Sequence, residues 1–301
     1  MKNRRAWNRF GANKHATSNS MGFRGTAEYS AAIPEGRYRI IFLGNSFTYG
    51  VDAGDENTFV AQIPSLDPSI ETVNMGVAGY GIDQMYLFYQ RYQVQYATNL
   101  VVLTFIEDDL RRMKLSAFMT TNPKPRLLLN GNAIVTTNVP VPTWGVSTQT
   151  GWLREFPNRT ALVQVLRTLY DVFVQDYDSV PVAEQVFVKL NELSLQKHQR
   201  FAVVYLPARN DLANDQRSET ARKLEEFAAH NDILFVDLTG SMRAAQKEES
   251  APLFVTNGAH YSELGYKTAA ALLFTALRKA VPDFPKPADS LPRRRLVGVF
   301  R

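Results

Sequence analysis

Four short, mostly apolar runs decide the fold class of this chain. They are Tyr38-Arg39-Ile40-Ile41-Phe42-Leu43, closed by Gly44; Val101-Val102-Leu103-Thr104-Phe105; Phe201-Ala202-Val203-Val204-Tyr205-Leu206, stopped by Pro207; and Ile233-Leu234-Phe235-Val236. Thr72-Val73-Asn74 is a shorter fifth. Each has the length of a strand, and none alternates apolar with polar, so both faces must be covered. That is the pattern of a parallel sheet. Helical spacing fills the intervals: Ile82, Met85, Tyr86 and Tyr89; Leu162, Val165, Leu166 and Leu169 after a cap at Asn158; Val182 to Leu195; Leu224 and Phe227; and Ser262 to Leu277. Strand and helix alternate, which predicts a doubly wound α/β domain. With 301 residues, 45% of them hydrophobic and 21% charged, the chain can bury one large core.

One region breaks the alternation. Residues 111–156 hold two apolar runs, Arg126-Leu127-Leu128-Leu129 and Ala133-Ile134-Val135-Thr136, joined through Asn130-Gly131. Asn-Gly between such runs is a strong hairpin signal. Pro123, Pro125, Pro140, Pro142 and Trp144 surround it. The expectation is a hairpin-bearing insertion after the third strand, where insertions overhang the ligand crevice of an α/β sheet.

Charge separates the ends from the body. Residues 1–25 carry Lys2, Arg4, Arg5, Arg9, Lys14 and Arg24 with no acid, and residues 291–301 carry Arg293, Arg294, Arg295 and Arg301 with no acid. Removing those ten positive charges from the net +5 leaves the body at −5. An acidic body argues against nucleic acid as a partner. The expected organisation is a basic, flexible arm over 1–30, a single domain over 31–282, and a Pro/Arg-rich tail over 283–301. The absence of cysteine excludes a disulfide scaffold, a thiolate metal site and a cysteine nucleophile. No stretch approaches the roughly 18 apolar residues of a membrane span, so no transmembrane segment is expected. The first thirty residues lack a signal-peptide apolar core, which makes the cytoplasm the default expectation.

Functional residue types fall at strand ends and helix starts. The first strand delivers Gly44-Asn45-Ser46-Phe47-Thr48-Tyr49-Gly50, a turn that presents a serine hydroxyl at the sheet edge. The next leads into Asn74-Met75-Gly76-Val77-Ala78-Gly79-Tyr80-Gly81, whose glycines admit close approach of a ligand to the backbone. Then come Phe105-Ile106-Glu107-Asp108-Asp109 and, before the last helix, Asn257-Gly258-Ala259-His260-Tyr261-Ser262. Of four histidines, His15 lies in the arm and His198 and His230 sit among polar residues at helix ends. His260 alone follows a glycine turn and opens a helix, which suits a base. It has no second histidine at ligand spacing, so no metal or other cofactor is expected. Gly76-x-x-Gly79-x-Gly81 has the wrong spacing for a dinucleotide fingerprint.

In order and spacing these four segments resemble the sequence blocks of the SGNH (GDSL-like) hydrolases. Ser20, Gly22, Phe23 and Arg24 match a lead-in found in bacterial members, and Lys124-Pro125 through Pro140-Val141-Pro142 resembles an insertion of one subgroup; together the likeness spans roughly residues 19–280. It implies a three-layer α/β/α fold with a central, mostly parallel five-stranded sheet, flavodoxin-like. It also implies a serine esterase. Ser46 takes the nucleophile position, with Asn45 where Asp is usual. Gly79 takes the oxyanion-hole glycine, and the Ser46 amide is a second donor. Asp108 takes the place of the oxyanion-hole asparagine. His260 is the base, and Asn257 stands where a carboxylate usually orients it.

The expected function is hydrolysis of esters by a Ser-His centre. An O-acylated carbohydrate is the first substrate expectation, since Trp144, Trp152 and nearby tyrosines could stack on sugars. An acyltransferase and a non-catalytic carbohydrate-binding module on the same fold are the alternatives, the latter motivated by Asp108 and Asn257. An ionised carboxylate at Asp108 would repel an oxyanion, so Asp108 is expected to turn toward His260 and supply the charge that Asn257 lacks. Deleting residues 1–14 and 291–301 should leave kcat on a chromogenic ester nearly unchanged; a large loss would show that an arm closes over the site.

Overall fold

The computed structural model of the chain describes residues 15–92, 95–118, 122–141, 178–214 and 217–285, together with the backbone of 6–7. Five strands form the central sheet: β1 (Tyr38–Gly44), β2 (Ile70–Gly76), β3 (Leu100–Phe105), β4 (Arg200–Tyr205) and β5 (Leu234–Asp237). Their order is β5-β4-β3-β1-β2, and every neighbouring pair is parallel. The helices used below are α1 (Ser46–Tyr49), α2 (Phe59–Leu66), α3 (Ile82–Tyr92), α4 (Glu107–Met113), α5 (Ser179–Gln196), α6 (Glu219–His230), α7 (Thr239–Glu248) and α8 (Glu263–Ala280).

Successive strand residues point to opposite faces, and here both faces are apolar. Ile41, Leu43, Val73, Val101, Leu103 and Val203 pack with Ile82, Met85 and Tyr89 of α3, Val186 and Leu190 of α5 and Leu224 of α6. Ile40, Phe42, Leu100, Val102 and Val204 pack with Phe59 and Ile63 of α2, Met242 of α7 and Tyr266, Leu273 and Leu277 of α8. The result is the expected three-layer α/β/α arrangement. The expected helix over Leu162–Leu169 with its cap at Asn158, Trp144, Trp152 and most of both charged ends lie outside the described residues.

Helix α2 has Pro64 in its interior. Proline has no N–H for the carbonyl four residues back, which is that of Val60. The Thr72 hydroxyl on β2 donates to this carbonyl instead, at 2.9 Å.

The Asn-Gly hairpin forms as expected, Arg126–Asn130 pairing antiparallel with Ala133–Thr137 and Gly131 at φ +59°. It is anchored on α3 by an ion pair: Lys124 Nζ lies 2.6 Å from Asp83 Oδ2, with the two side chains 3% and 0% exposed.

The arm expected over residues 1–30 is, from His15 onward, part of the domain. Ala16, Asn19, Phe23 and Arg24 are buried. The Asn19 side chain accepts from the amides of Met21 and Phe23 and donates to the Ala27 carbonyl, closing a tight loop. Phe23 then wedges edge-on against Phe88, Tyr92 and Tyr96.

Removing one partner of a buried ion pair leaves a bare charge in the interior and costs about 3–5 kcal/mol. Lys124→Met should therefore lower the unfolding free energy obtained from urea titration by that amount, and adding Asp83→Leu should recover much of it. Equal stability of Lys124→Met and the parent would mean that the insertion is not held by this pair.

Candidate active site

Ser46 is placed by the way β1 ends. Asn45 leaves the strand and caps α1, its side-chain oxygen accepting the Phe47 amide at 2.8 Å. The helix is a single turn, stopped by Gly50 at φ +78°, where a side chain would be strained and would meet Thr58. The chain therefore doubles back, and Val51-Asp52-Ala53 runs beside the serine it has just left.

His260 arrives from the other end of the sequence. The Phe254–Tyr261 bridge and the Ser262 amide on the Leu253 carbonyl, 2.8 Å, close the loop that carries it. Arg209 braces that loop through the Gly258 carbonyl at 2.8 Å. The imidazole packs edge-on against Phe47, with ring centroids 5.2 Å apart.

These segments meet in a relay. His260 Nε2 is 2.9 Å from Ser46 Oγ, and His260 Nδ1 is 2.8 Å from Asp52 Oδ2. A carboxylate only accepts, so Nδ1 must be the donor. The neutral ring then has Nε2 as its acceptor, and the serine hydroxyl donates to it. Ser46 is 7% exposed and Asp52 2%, so the contacts are largely shielded from water.

Around this centre the sequence-predicted residues divide. Gly79 lies at the same carboxyl edge in the left-handed region, φ +86°, and a Cβ there would sit 2.8 Å from the Phe118 ring. The insertion thus reaches the glycine through Phe118. Asp108 does not turn toward His260. Its carboxylate accepts from Arg111 Nε at 2.8 Å and pairs with Arg112 at 2.8 Å, so the acidic residues at the start of α4 face the basic ones at its end. With Arg111, Asp178 and Thr220 it borders a concavity of about 400 Å³. Asn257 is exposed, and the Nδ1 position it was expected to occupy belongs to Asp52. Asp52 is the residue that sequence reasoning missed. Its signal is weak: an acid between Gly50 and Gly54, shortly after the serine turn.

Behind the serine lies a second buried carboxylate. Asp109 Oδ2 accepts from the Asn45 side-chain amide and, at 3.0 Å, from the Ile106 amide, while Oδ1 accepts from Arg112 at 2.7 Å. Burial pushes the Asp109 carboxyl up to about 7, against the pull of Arg112 and the two N–H donors. Asn45 is thus held at both ends, by Asp109 and by the helix it caps. Among the described residues no cluster of three or more metal-ligating side chains occurs, and no helix is long and apolar enough to cross a membrane.

No family model and no curated protein matches the chain. Solved structures similar to it include a lipolytic protein of the G-D-S-L family from Desulfitobacterium hafniense DCB-2, at 15% identity and TM-score 0.46, covering 80% of this chain and 100% of that one. A member of the lipolytic G-D-S-L family from Veillonella parvula DSM 2008 matches at 15% identity and TM-score 0.48, over 81% and 98% of the two chains. An acetyl xylan esterase, AlAXEase, matches at 13% identity and TM-score 0.46, over 79% and 99%.

The raised Asp109 carboxyl has a signed consequence. Below an unfolded carboxyl value of about 3.9 both states hold the proton. As pH rises, the unfolded chain releases it first, so this contribution to stability falls and is lost as pH passes through the folded value of about 7. Urea midpoints of the parent should fall from pH 5 to 8 more steeply than those of Asp109→Asn. Parallel curves would show that Asp109 does not titrate there.

Proposed function

We propose that the protein is a serine ester hydrolase, and the Ser46–His260–Asp52 relay is the observation that carries this reading. Ser46 Oγ attacks the ester carbonyl while His260 Nε2 takes its proton. The resulting imidazolium gives that proton to the departing alkoxide. A water then repeats the sequence on the acyl-enzyme, releasing the acid and restoring the serine. Asp52 holds the ring in the tautomer that leaves Nε2 free to accept, and its charge stabilises the imidazolium.

The oxyanion is assigned to the backbone amides of Ser46 and Gly79. Asp108, bound to two arginines, has no side-chain N–H to offer, so this hole is built from main chain. The departures at Asp108 and Asn257 favoured a non-catalytic module only while the histidine lacked a carboxylate, and Asp52 supplies one. An O-acylated carbohydrate is the proposed substrate class, on the strength of Trp144 and Trp152 in the sequence of the insertion.

The test is turnover of p-nitrophenyl acetate, and of an acetylated oligosaccharide, by a set of variants. Ser46→Ala should abolish turnover. Asp52→Asn should lower kcat by about 10⁴, the loss known when the orienting Asp of a serine protease becomes Asn. Asn257→Asp and Asp108→Asn should stay close to the parent, since neither side chain touches the histidine. Full activity of Ser46→Ala would overturn the nucleophile. Absence of covalent labelling at Ser46 by a fluorophosphonate at any pH would favour the binding module.

A further inference from the structure

We propose that Arg24 is a positioning residue of the catalytic centre, clamping from the N-terminal loop the turn that connects Ser46 to Asp52. The inference rests on the Ser46–His260–Asp52 reading and extends it to a residue far from the chemistry in sequence.

Arg24 touches that turn at both ends. Its guanidinium stacks on the ring of Tyr49, the last residue of α1, with Cζ 4.7 Å from the ring centroid. On the far side NH2 donates to the carbonyl of Ala53 at 2.8 Å, and NH1 pairs with Asp55 Oδ1 at 3.2 Å. Asp52 lies between these contacts, next in the chain to the clamped Ala53. The main chain joins in: the Arg24 amide donates to the Asn74 carbonyl at 3.1 Å, and the Asn74 side chain donates to the Thr48 carbonyl at 2.7 Å.

Burial makes these contacts matter. The Arg24 side chain is 1% exposed, so its charge is not shared with bulk water. Both its charge and that of Asp52 act on the Tyr266 hydroxyl. Burial and then Asp52 raise its pKa while Arg24 opposes, which places the two charges around one buried group. A planar fork can stack, donate to a carbonyl and pair with a carboxylate at once; an ammonium cannot do all three.

The clamp is itself fixed. Thr17 holds Asp55 from its amide, at 3.0 Å, and from its hydroxyl. The Gly25 amide returns to the Thr17 carbonyl at 3.0 Å, so the two ends of the loop bind the same carboxylate region. Hydrogen bonds to imidazole are steep in distance and angle. A turn free to move by about 1 Å would lower the rate by roughly 10²-fold.

The experiment compares the parent with Arg24→Met, Arg24→Lys and Asp55→Asn in the full chain. Four quantities are read: kcat and KM on p-nitrophenyl acetate, the rate of fluorophosphonate labelling at Ser46, and the downfield proton resonance of the His260 Nδ1–H. Arg24→Met should lower kcat and the labelling rate roughly 10²-fold with KM little changed, and should lose the downfield resonance. Arg24→Lys should recover part of each. A folded Arg24→Met that labels at the parental rate and keeps the resonance overturns the proposal. If Arg24→Met does not fold, Asp55→Asn decides: slower labelling supports the clamp, and a parental rate overturns it. A parent that is never labelled overturns the nucleophile instead, and the resonance in parent and Arg24→Met then tests the clamp without turnover.

Discussion

Asp52 puts a carboxylate where water barely reaches, and a buried charge persists only against donors held in place by the rest of the fold. That requirement organises the carboxyl edge of the sheet. β1 supplies the floor and ends in the turn that returns Asp52 to Ser46. The loop before α8 supplies the imidazole, 2.8 Å away. The N-terminal loop supplies the guanidinium that fixes Ala53 and Asp55 on the other side. Three segments distant in sequence thus meet around one acid.

The sheet was legible because its physics is local. Strands covered on both faces read as near-continuous apolar runs, and β1, β3 and β4 show that pattern. The hairpin was legible for a similar reason, since Gly131 takes the positive φ that Asn-Gly turns require. Helix α2 was not read from the sequence; it has Pro64 inside it, and the hydroxyl of Thr72 that replaces the lost donor lies on another element. The N-terminal loop was misread on composition. Asn, Ser, Thr and Arg suggest a solvated arm, but composition records donors without their direction. Asn19 and Arg24 point their polar groups inward, each at under 5% exposure.

Ser46 and His260 were legible because each stands in a motif at a strand or helix end, and the fold brings their side chains to 2.9 Å. Asp52 was not. An acid between two glycines looks like any surface turn, and only the helix stop at Gly50 together with the packing of His260 on Phe47 gives it a partner. Asp108 misled for the opposite reason. Its position in a motif suggested a role, while its neighbours Arg111 and Arg112, one helical turn away, satisfy it locally.

The three departures from the resembled motifs have a common physical sense. Each carboxylate near the centre is matched to a donor. Asn45 stands where Asp is usual, and its amide donates to Asp109. A carboxylate at 45 would face that of Asp109 across a hydrogen-bond distance, and two such groups cannot both be ionised in a buried site. Asn257 stands where a carboxylate usually serves the histidine, and Asp52 already fills the single acceptor site at Nδ1. Asp108 stands where an amide usually serves the oxyanion, and its charge is drawn off by two arginines on the outer side of α4. Asp52 lies on the side of the imidazole away from Ser46. In the proposed mechanism it would stabilise the imidazolium as the proton arrives, and the ring would separate it from the oxyanion forming at the serine.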